Sequence, residues 1–153
     1  SKNQFNVPFG NYRNPNIVNE EVLKGVSSYL NHANIRILNG DFEEAVEDCR
    51  AGDFIYFDPP YDSVREDSES FVGYTLNGFG KEEQKRLANV FKELDKRGCY
   101  VLLSNAKTNF IDELYSGYRL VPVKAGRSIN SKGNGRGKVD EVLVRNYEVK
   151  KSR

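Results

Sequence analysis

The sequence predicts an α/β fold built around a mostly parallel sheet. Short apolar runs alternate with segments whose apolar residues recur every three or four positions, which is typical of strands alternating with helices. The two clearest strands, residues 54–57 and 99–103, are apolar throughout, so we expect them to be buried on both faces. The chain has 153 residues, which allows one domain with its own core but is short for a complete cofactor-dependent enzyme.

The other elements follow from apolar periodicity and from capping residues. Asp41 is placed to cap the amino terminus of one helix, and Gly98 is placed to end another. Helices are predicted over residues 20–31, 42–49, 81–97 and 109–115, and further strands over residues 35–38, 118–123 and 141–147.

Charge is balanced overall but unevenly distributed. Lys and Arg total 23 and Asp and Glu total 22, a formal net charge of +1, so net charge does not indicate a nucleic-acid partner. Between Lys124 and Lys138, however, the chain has five basic residues, no acidic residue and several glycines. This basic loop joins the last two predicted strands, which lack a helix between them and should pair as an antiparallel hairpin at the sheet edge.

The cysteines and the hydropathy pattern bear on the cellular compartment. Cys49 and Cys99 provide neither metal-ligand spacing nor a disulfide framework, and we interpret both as buried thiols in a reducing environment. No apolar run approaches the length of a membrane span or of a signal-peptide core. We therefore expect a soluble, cytoplasmic protein.

A polar motif, Asp58-Pro59-Pro60-Tyr61, directly follows the apolar run 54–57. Two prolines cannot continue a central strand, so the chain must leave the sheet there. Ligands of open α/β sheets bind outside the carboxyl ends of the strands. Because Gly40-Asp41 and Ser104-Asn105 follow two other predicted strands, we expect the three polar clusters to line one rim.

The motif suits methylation of an exocyclic amine on a nucleic-acid base. Such an amine is a poor nucleophile and needs acceptors for its hydrogens. The carboxylate of Asp58 and the carbonyl of Pro59 can provide them, with the backbone fixed by Pro59 and Pro60. Tyr61 can stack on a base that has been flipped out of a duplex. This chemistry requires neither a metal nor a covalent intermediate.

With four other runs, the motif resembles the Dam-type adenine DNA methyltransferases, and especially the Dam-like members of DpnII systems, which act at GATC. The runs occur in the family's order: residues 5–10 with Tyr12, 58–61, 103–105, 127–129 and 139–141. The resemblance implies a Rossmann-like sheet and transfer of a methyl group from S-adenosylmethionine to N6 of adenine in double-stranded DNA. The residues leave other substrates open, namely RNA or a protein glutamine amide.

The resemblance also implies roles for individual residues. Asp41, Phe42 and Asp58 would bind the cofactor, although Asp41 also fits a plain helix cap and Phe42 a core position. The basic loop would bind phosphates, although charged runs are more often solvated faces. The residues expected to contact DNA are Pro8, Tyr12, Arg13, Asn105, Arg127, Ser128, Asn130, Lys132, Arg136 and Lys138.

One departure from the family concerns the methyl donor. The family's lysine-bearing amino-terminal segment and its Phe-x-Gly-x-Gly loop, which cradle the cofactor, do not occur in this sequence. We therefore expect a missing amino-terminal segment or a complementary chain that carries the glycine-rich loop and the first strands of the sheet. Residues 1–18 would then be the remainder of a target-recognition region, and residues 19–153 a partial catalytic domain. The alternative is a catalytically incomplete, DNA-binding half.

Overall fold

The computed structural model describes residues 18–32, 34–62, 78–126 and 138–149. These residues fall into two units, one ending at Asn39 and the other beginning at Gly40. The first unit contains helix α1 (Glu20–His32). The second contains a four-stranded sheet and three helices. Within the described ranges, no helix is long and apolar enough to cross a membrane.

The first unit confirms the predicted helix but not the predicted strand. Asn19 caps α1, because its Oδ1 accepts a hydrogen bond of 3.2 Å from the backbone N–H of Val22. Residues 35–38 do not form a strand, and that prediction was wrong. A strand needs a hydrogen-bonded neighbour, and the described part of this unit offers no second strand for pairing.

The sheet of the second unit is mixed rather than mostly parallel. Its order is β1-β2-β4-β3, in which β1 and β2 are parallel and β4 is antiparallel to both of its neighbours. The predicted hairpin of the last two strands is therefore confirmed, with β3 at the edge. The strands are β1 (Phe54–Phe57), β2 (Tyr100–Ala106), β3 (Arg119–Gly126) and β4 (Lys138–Arg145).

The helices of this unit are α2 (Phe42–Ala45), α3 (Lys81–Lys96) and α4 (Asn109–Leu114). The helix predicted over 42–49 ends early because the following hydrogen bonds tighten. The N–H groups of Val46, Glu47 and Cys49 each donate to the carbonyl three residues earlier. This spacing belongs to tight turns rather than to an α-helix.

The core lies between one face of the sheet and helices α3 and α4. The apolar stripe of α3 is Leu87, Ala88, Phe91 and Leu94, spaced as one helical face. Phe91 packs edge-on against Tyr115, with ring centroids 5.4 Å apart. The buried side chains of the sheet and of α4 in this cluster are Ile55, Phe57, Val101, Leu103, Val142, Val144 and Ile111.

The opposite face of β1 and of the start of β2 is largely exposed. Phe54 retains 59% of its accessible surface, Tyr56 retains 52% and Tyr100 retains 51%. The expectation that these apolar strands are buried on both faces is therefore wrong for the described part of the chain. Aromatic side chains on a parallel pair of strands are instead left facing solvent.

The carboxyl end of α3 provides a test of the fold. Gly98 has φ of 83°, a left-handed conformation, and an added Cβ would lie 3.2 Å from Cβ of Ala51. Gly98→Ala should therefore lower the free energy of unfolding by about 1–2 kcal/mol. Gly117→Ala, whose Cβ would meet nothing within 4 Å, should change it by less than about 0.5 kcal/mol. Denaturant titration measures both values, and equal effects would contradict this account of the turn.

Candidate active site

Two of the three predicted polar clusters meet where β1 ends. β1 and β2 are in register from Phe54↔Tyr100 to Phe57↔Leu103, so β2 continues past the point at which β1 stops. Ser104 and Asn105 are the next residues of β2, and they lie beside the segment that begins with Asp58. Because side chains alternate along a strand, Ser104 and Asn105 point to opposite faces of the sheet.

Ser104 holds the carboxylate of Asp58. Its Oγ donates a 2.7 Å hydrogen bond to Oδ1 of Asp58 and accepts one of 3.0 Å from the hydroxyl of Tyr56. A serine hydroxyl has one hydrogen to donate, and the 2.7 Å contact identifies Asp58 as its acceptor. Asp58 itself is exposed. The site thus presents an oriented carboxylate that a ligand can reach.

Tyr61 lies half-buried next to this group. Burial raises the pKa of Tyr61 above its ordinary value of 10.0, and the nearby negative charges of Glu141 and Asp58 raise it further. The Tyr61 ring is therefore neutral at physiological pH, which suits a stacking surface.

The backbone after Pro59 is attached to α3, β2 and the start of α4. Nε2 of Gln84 donates a 2.9 Å hydrogen bond to the carbonyl of Pro60. The N–H of Asp62 donates one of 2.8 Å to Oδ1 of Asn105. The carboxylate of Asp62 accepts one of 2.7 Å from Thr108, which also caps α4. Three elements therefore fix the loop that carries Tyr61.

Asp41, the third predicted cluster, caps α2 and pairs with α3. Its Oδ1 accepts a 2.9 Å hydrogen bond from the N–H of Glu43, which confirms the predicted cap. Its Oδ2 pairs with Arg86, and this hydrogen bond is the main reason that the pKa of Asp41 is lowered. The Arg86 guanidinium also lies over the Phe42 ring, 4.3 Å from its centroid. Phe42 in turn packs against Phe79, with centroids 6.1 Å apart.

The structure describes only part of the predicted DNA-contacting set. For Lys138 it gives the backbone, at the start of β4. Asn105 is fully buried, and its amide is bonded to Asp62 and Gln84. These positions favour a supporting role for Asn105, and its direct contact with DNA stays a prediction. The predicted residues outside the described ranges are Pro8, Tyr12, Arg13, Arg127, Ser128, Asn130, Lys132 and Arg136.

Gln84 is a site residue that the sequence reasoning missed. It lies three residues before Leu87 and so falls in phase with the apolar stripe of α3. A polar side chain at a position that periodicity assigns to the core needs a buried hydrogen-bond partner. That mismatch was the available signal, although it could not identify Pro60 and Asn105 as the partners.

Comparison with known sequences gives the family. The sequence profile described as D12 class N6 adenine-specific DNA methyltransferase matches residues 1–129, which is most of the chain. The chain belongs to this D12 class. Its Asp58–Tyr61 segment and the residues that support it lie within the matched region.

Individual relatives agree with this assignment. The type II methyltransferase M1.LlaDCHI of Lactococcus lactis subsp. cremoris is 47% identical over 96% of this chain and 51% of its own length. The type II methyltransferase M.MjaIII of Methanocaldococcus jannaschii is 45% identical over 95% of this chain and 50% of its own. The DNA adenine methylase of Escherichia coli K12 is 37% identical over 94% and 50%. This D12-class chain therefore spans about half the length of these relatives.

The surroundings of Tyr61 can be tested by titration. Because the nearby negative charge of Glu141 raises the pKa of Tyr61, Glu141→Gln should lower that pKa. Ser116→Ala, at an exposed position, should leave it unchanged. Nuclear magnetic resonance of ring-labelled tyrosine can follow the Tyr61 signal, and a pKa that stays constant or rises in Glu141→Gln would contradict the proximity of the two side chains.

The sign of the effect on stability follows from the same shift. A phenol whose pKa is higher in the folded than in the unfolded state is stabilised there in its neutral form. The contribution of Tyr61 to stability is therefore fully present below pH 10.0, the ordinary pKa, and is lost as the pH rises through the folded pKa. Because Glu141→Gln should lower the folded pKa, it should move the end of this loss to lower pH.

Proposed function

We propose that this chain provides the base-binding and catalytic part of an S-adenosylmethionine-dependent enzyme that methylates N6 of adenine in double-stranded DNA. The observation that carries the proposal is the exposed carboxylate of Asp58, held by Ser104 at the end of β1 and followed by an anchored Pro59-Pro60-Tyr61 segment. Membership of the D12 class and the names of the relatives support adenine in DNA as the substrate.

The residues act on the amine as acceptors. The Asp58 carboxylate accepts one hydrogen of the amine and the Pro59 carbonyl accepts the other, which draws the nitrogen toward tetrahedral geometry with its lone pair facing the donor. The negative charge of Asp58 also stabilises the positive charge that develops on nitrogen. Ser104 prevents the carboxylate from rotating away, because its hydrogen bond fixes Oδ1.

Tyr61 holds the base. Its neutral, half-buried ring lies beside Asp58 and offers a face on which adenine can stack. Stacking of this kind contributes about 1–3 kcal/mol per base. Adenine in a duplex cannot reach a pocket at the end of a strand, so the reaction requires that the base be flipped out.

The cofactor side of the site is present in part. The Asp41 carboxylate has side-chain exposure of 42%, and each of its oxygens retains a lone pair beyond the bonds to Glu43 and Arg86. Asp41, Phe42 and Asp58 fit part of a site for S-adenosylmethionine: Asp41 would hold polar groups of the nucleoside, and Phe42 would lie against its adenine. When bound, this cofactor supplies an electrophilic methyl group.

The rest of the cofactor site is proposed to lie in another segment, amino-terminal to this one, or in a complementary chain. This chain spans about half the length of its relatives, which leaves room for such a segment. The exposed face of Phe54, Tyr56 and Tyr100 supports this, because parallel strands are ordinarily covered on both faces. The first strands of a Rossmann-like sheet would pair with β1 and bring the glycine-rich loop.

DNA contacts are proposed for two segments, residues 1–18 and the basic loop. Residues 1–18, with Pro8, Tyr12 and Arg13, would belong to the target-recognition region, and the basic loop with Arg127 and Lys132 would bind phosphates. Recognition of GATC is part of this proposal and rests on the resemblance to Dam-type enzymes.

Asp58→Ala tests the proposed chemistry in the complete gene product. Loss of the carboxylate should lower kcat for methylation of GATC-containing duplex DNA by at least about 100-fold, while DNA affinity changes little. Asp48→Ala, which removes an exposed carboxylate elsewhere in the unit, should be close to wild type. Turnover of Asp58→Ala near the wild-type value would refute the role. Parallel assays with RNA and with a glutamine-containing protein test the other substrates, which should not be methylated.

The exposed sheet face can be tested with fragments. Phe54→Glu should lower the free energy of unfolding of this chain by no more than about 1 kcal/mol, since the residue is 59% exposed and packs only edge-on against Tyr147. It should also prevent association with a fragment made of the part of the L. lactis relative that this chain does not match, whereas Lys92→Glu on the exposed side of α3 should not. The isolated chain should show no saturable heat on calorimetric titration with S-adenosylmethionine. Tight binding by this chain alone would overturn the proposal of a second segment.

A further inference from the structure

Gln84 and Asn105 form a chain of hydrogen bonds behind the Asp58–Tyr61 segment. Gln84 bonds to the carbonyl of Pro60 at 2.9 Å, Asn105 bonds to Gln84 at 3.0 Å, and Asp62 bonds to Asn105 at 2.8 Å. We infer that Gln84 is a positioning residue, which fixes the backbone of residues 60–62 and so the place of Tyr61 and of the Pro59 carbonyl. The inference rests on the proposed function, because its consequence for catalysis assumes methyl transfer at this site.

The orientation of both amide groups is determined by their partners. A carbonyl can only accept, so the nitrogen of Gln84 must face Pro60. A backbone N–H can only donate, so the oxygen of Asn105 must face Asp62. The atoms that remain, the oxygen of Gln84 and the nitrogen of Asn105, then face each other as acceptor and donor. Reversing either amide would place like groups together at two contacts.

Burial raises the free-energy cost of breaking these hydrogen bonds. Gln84 retains 1% of its accessible surface and Asn105 retains none. A buried polar group that loses its partner costs about 1–3 kcal/mol. Any movement of the loop away from α3 would leave the buried amide nitrogen of Gln84 without its acceptor at Pro60 and would separate the N–H of Asp62 from the oxygen of Asn105. The closed hydrogen-bond chain therefore opposes that movement.

The anchored groups flank Tyr61 on both sides along the chain. The carbonyl before it is held by Gln84 and the N–H after it is held by Asn105. The two residues before Tyr61 are prolines, and the rings of Pro59 and Pro60 fix their own φ angles. The segment that presents both amine acceptors and the stacking ring thus has little conformational freedom.

The rigid support is α3 itself. Four apolar side chains of the same stripe, from Leu87 to Leu94, pack into the core and fix the helix against the sheet. Gln84 is the amino-terminal member of that stripe. Attachment to a helix that is fixed by packing can hold a reacting group more closely than a loop can, and misplacement by about 1 Å can cost about 100-fold in rate.

Two substitutions of similar side-chain length test the inference in the complete gene product. Gln84→Glu removes the donor to Pro60 while keeping an oxygen toward Asn105, and Gln84→Met removes both polar atoms. Each should lower kcat for methylation of duplex DNA by about 10- to 100-fold and change KM for DNA by less than about threefold. Asn89→Asp, which changes an exposed amide on the same helix, is the matched control and should behave as wild type.

Hydrogen exchange at Asp62 gives a second readout that does not depend on activity. Its N–H is bonded to Asn105, so hydrogen exchange at Asp62 should accelerate by about tenfold or more in both variants. The exchange rate of the Arg97 N–H, at the far end of α3, is the reference that corrects for any general loss of stability. A purely structural role would lower the melting temperature and leave kcat per folded molecule unchanged.

The outcomes separate this inference from the proposed function. Unchanged Asp62 exchange together with wild-type kcat in a folded variant would overturn the positioning role. If the wild-type protein does not methylate DNA, the proposed function fails, while faster Asp62 exchange in both variants would still support the anchoring by Gln84.

Discussion

The parallel pairing of β1 with β2 is the constraint on which the site depends. The four paired positions end at Phe57↔Leu103, and β2 then continues to Ala106. This overhang places Ser104 and Asn105 beside the chain as it leaves β1. A slip of one residue would exchange the faces to which they point, because side chains alternate along a strand. Asp58 would then lose Ser104, and the loop would lose Asn105.

Because side chains alternate along β2, the two faces of the sheet position different parts of the site. On one face, Ser104 contacts Asp58 and the hydroxyl of Tyr56, so this face orients the carboxylate. On the other face, Asn105 reaches Gln84 within the core covered by α3, so this face orients the loop backbone. The carboxylate and the loop are consecutive in the chain, and the same two residues of β2 fix both. The sheet and α3 therefore specify the geometry together.

Several elements of the fold could be predicted because their signals are local. The apolar run of β1, the stripe and terminal glycine of α3 and the cap at Asp41 each reflect interactions within a few residues. The errors concern interactions that depend on distant partners. The run 35–38 looks like a strand by composition, but pairing decides whether a strand forms. The burial of both faces of β1 was inferred from its own residues, although it depends on what else covers the sheet.

In the candidate site too, local features could be predicted from the sequence and contacts between distant residues could not. The motif at residues 58–61 could be proposed from the sequence, since the proposed chemistry requires a carboxylate, a rigid carbonyl and an aromatic ring close together in sequence. The residues that fix it are up to 46 positions away, as in the bonds of Asp58 to Ser104 and of Asp62 to Thr108. Periodicity could mark Gln84 as an unusual member of an apolar stripe. Only the packed structure shows that its partner is Pro60.

The position of the exposed face relative to the site has a mechanistic consequence. About half of the surface of Tyr56 is exposed, on the face that the described residues leave uncovered. Its hydroxyl nevertheless belongs to the hydrogen-bond chain that leads through Ser104 to Asp58. A segment that covered this face would bury Tyr56 and remove water from one end of that chain. Hydrogen bonds to a carboxylate strengthen when water is excluded. If the segment proposed to complete the cofactor side covered this face, it would also hold Asp58 more firmly, and the two halves of the proposed site would be coupled through Tyr56 and Ser104.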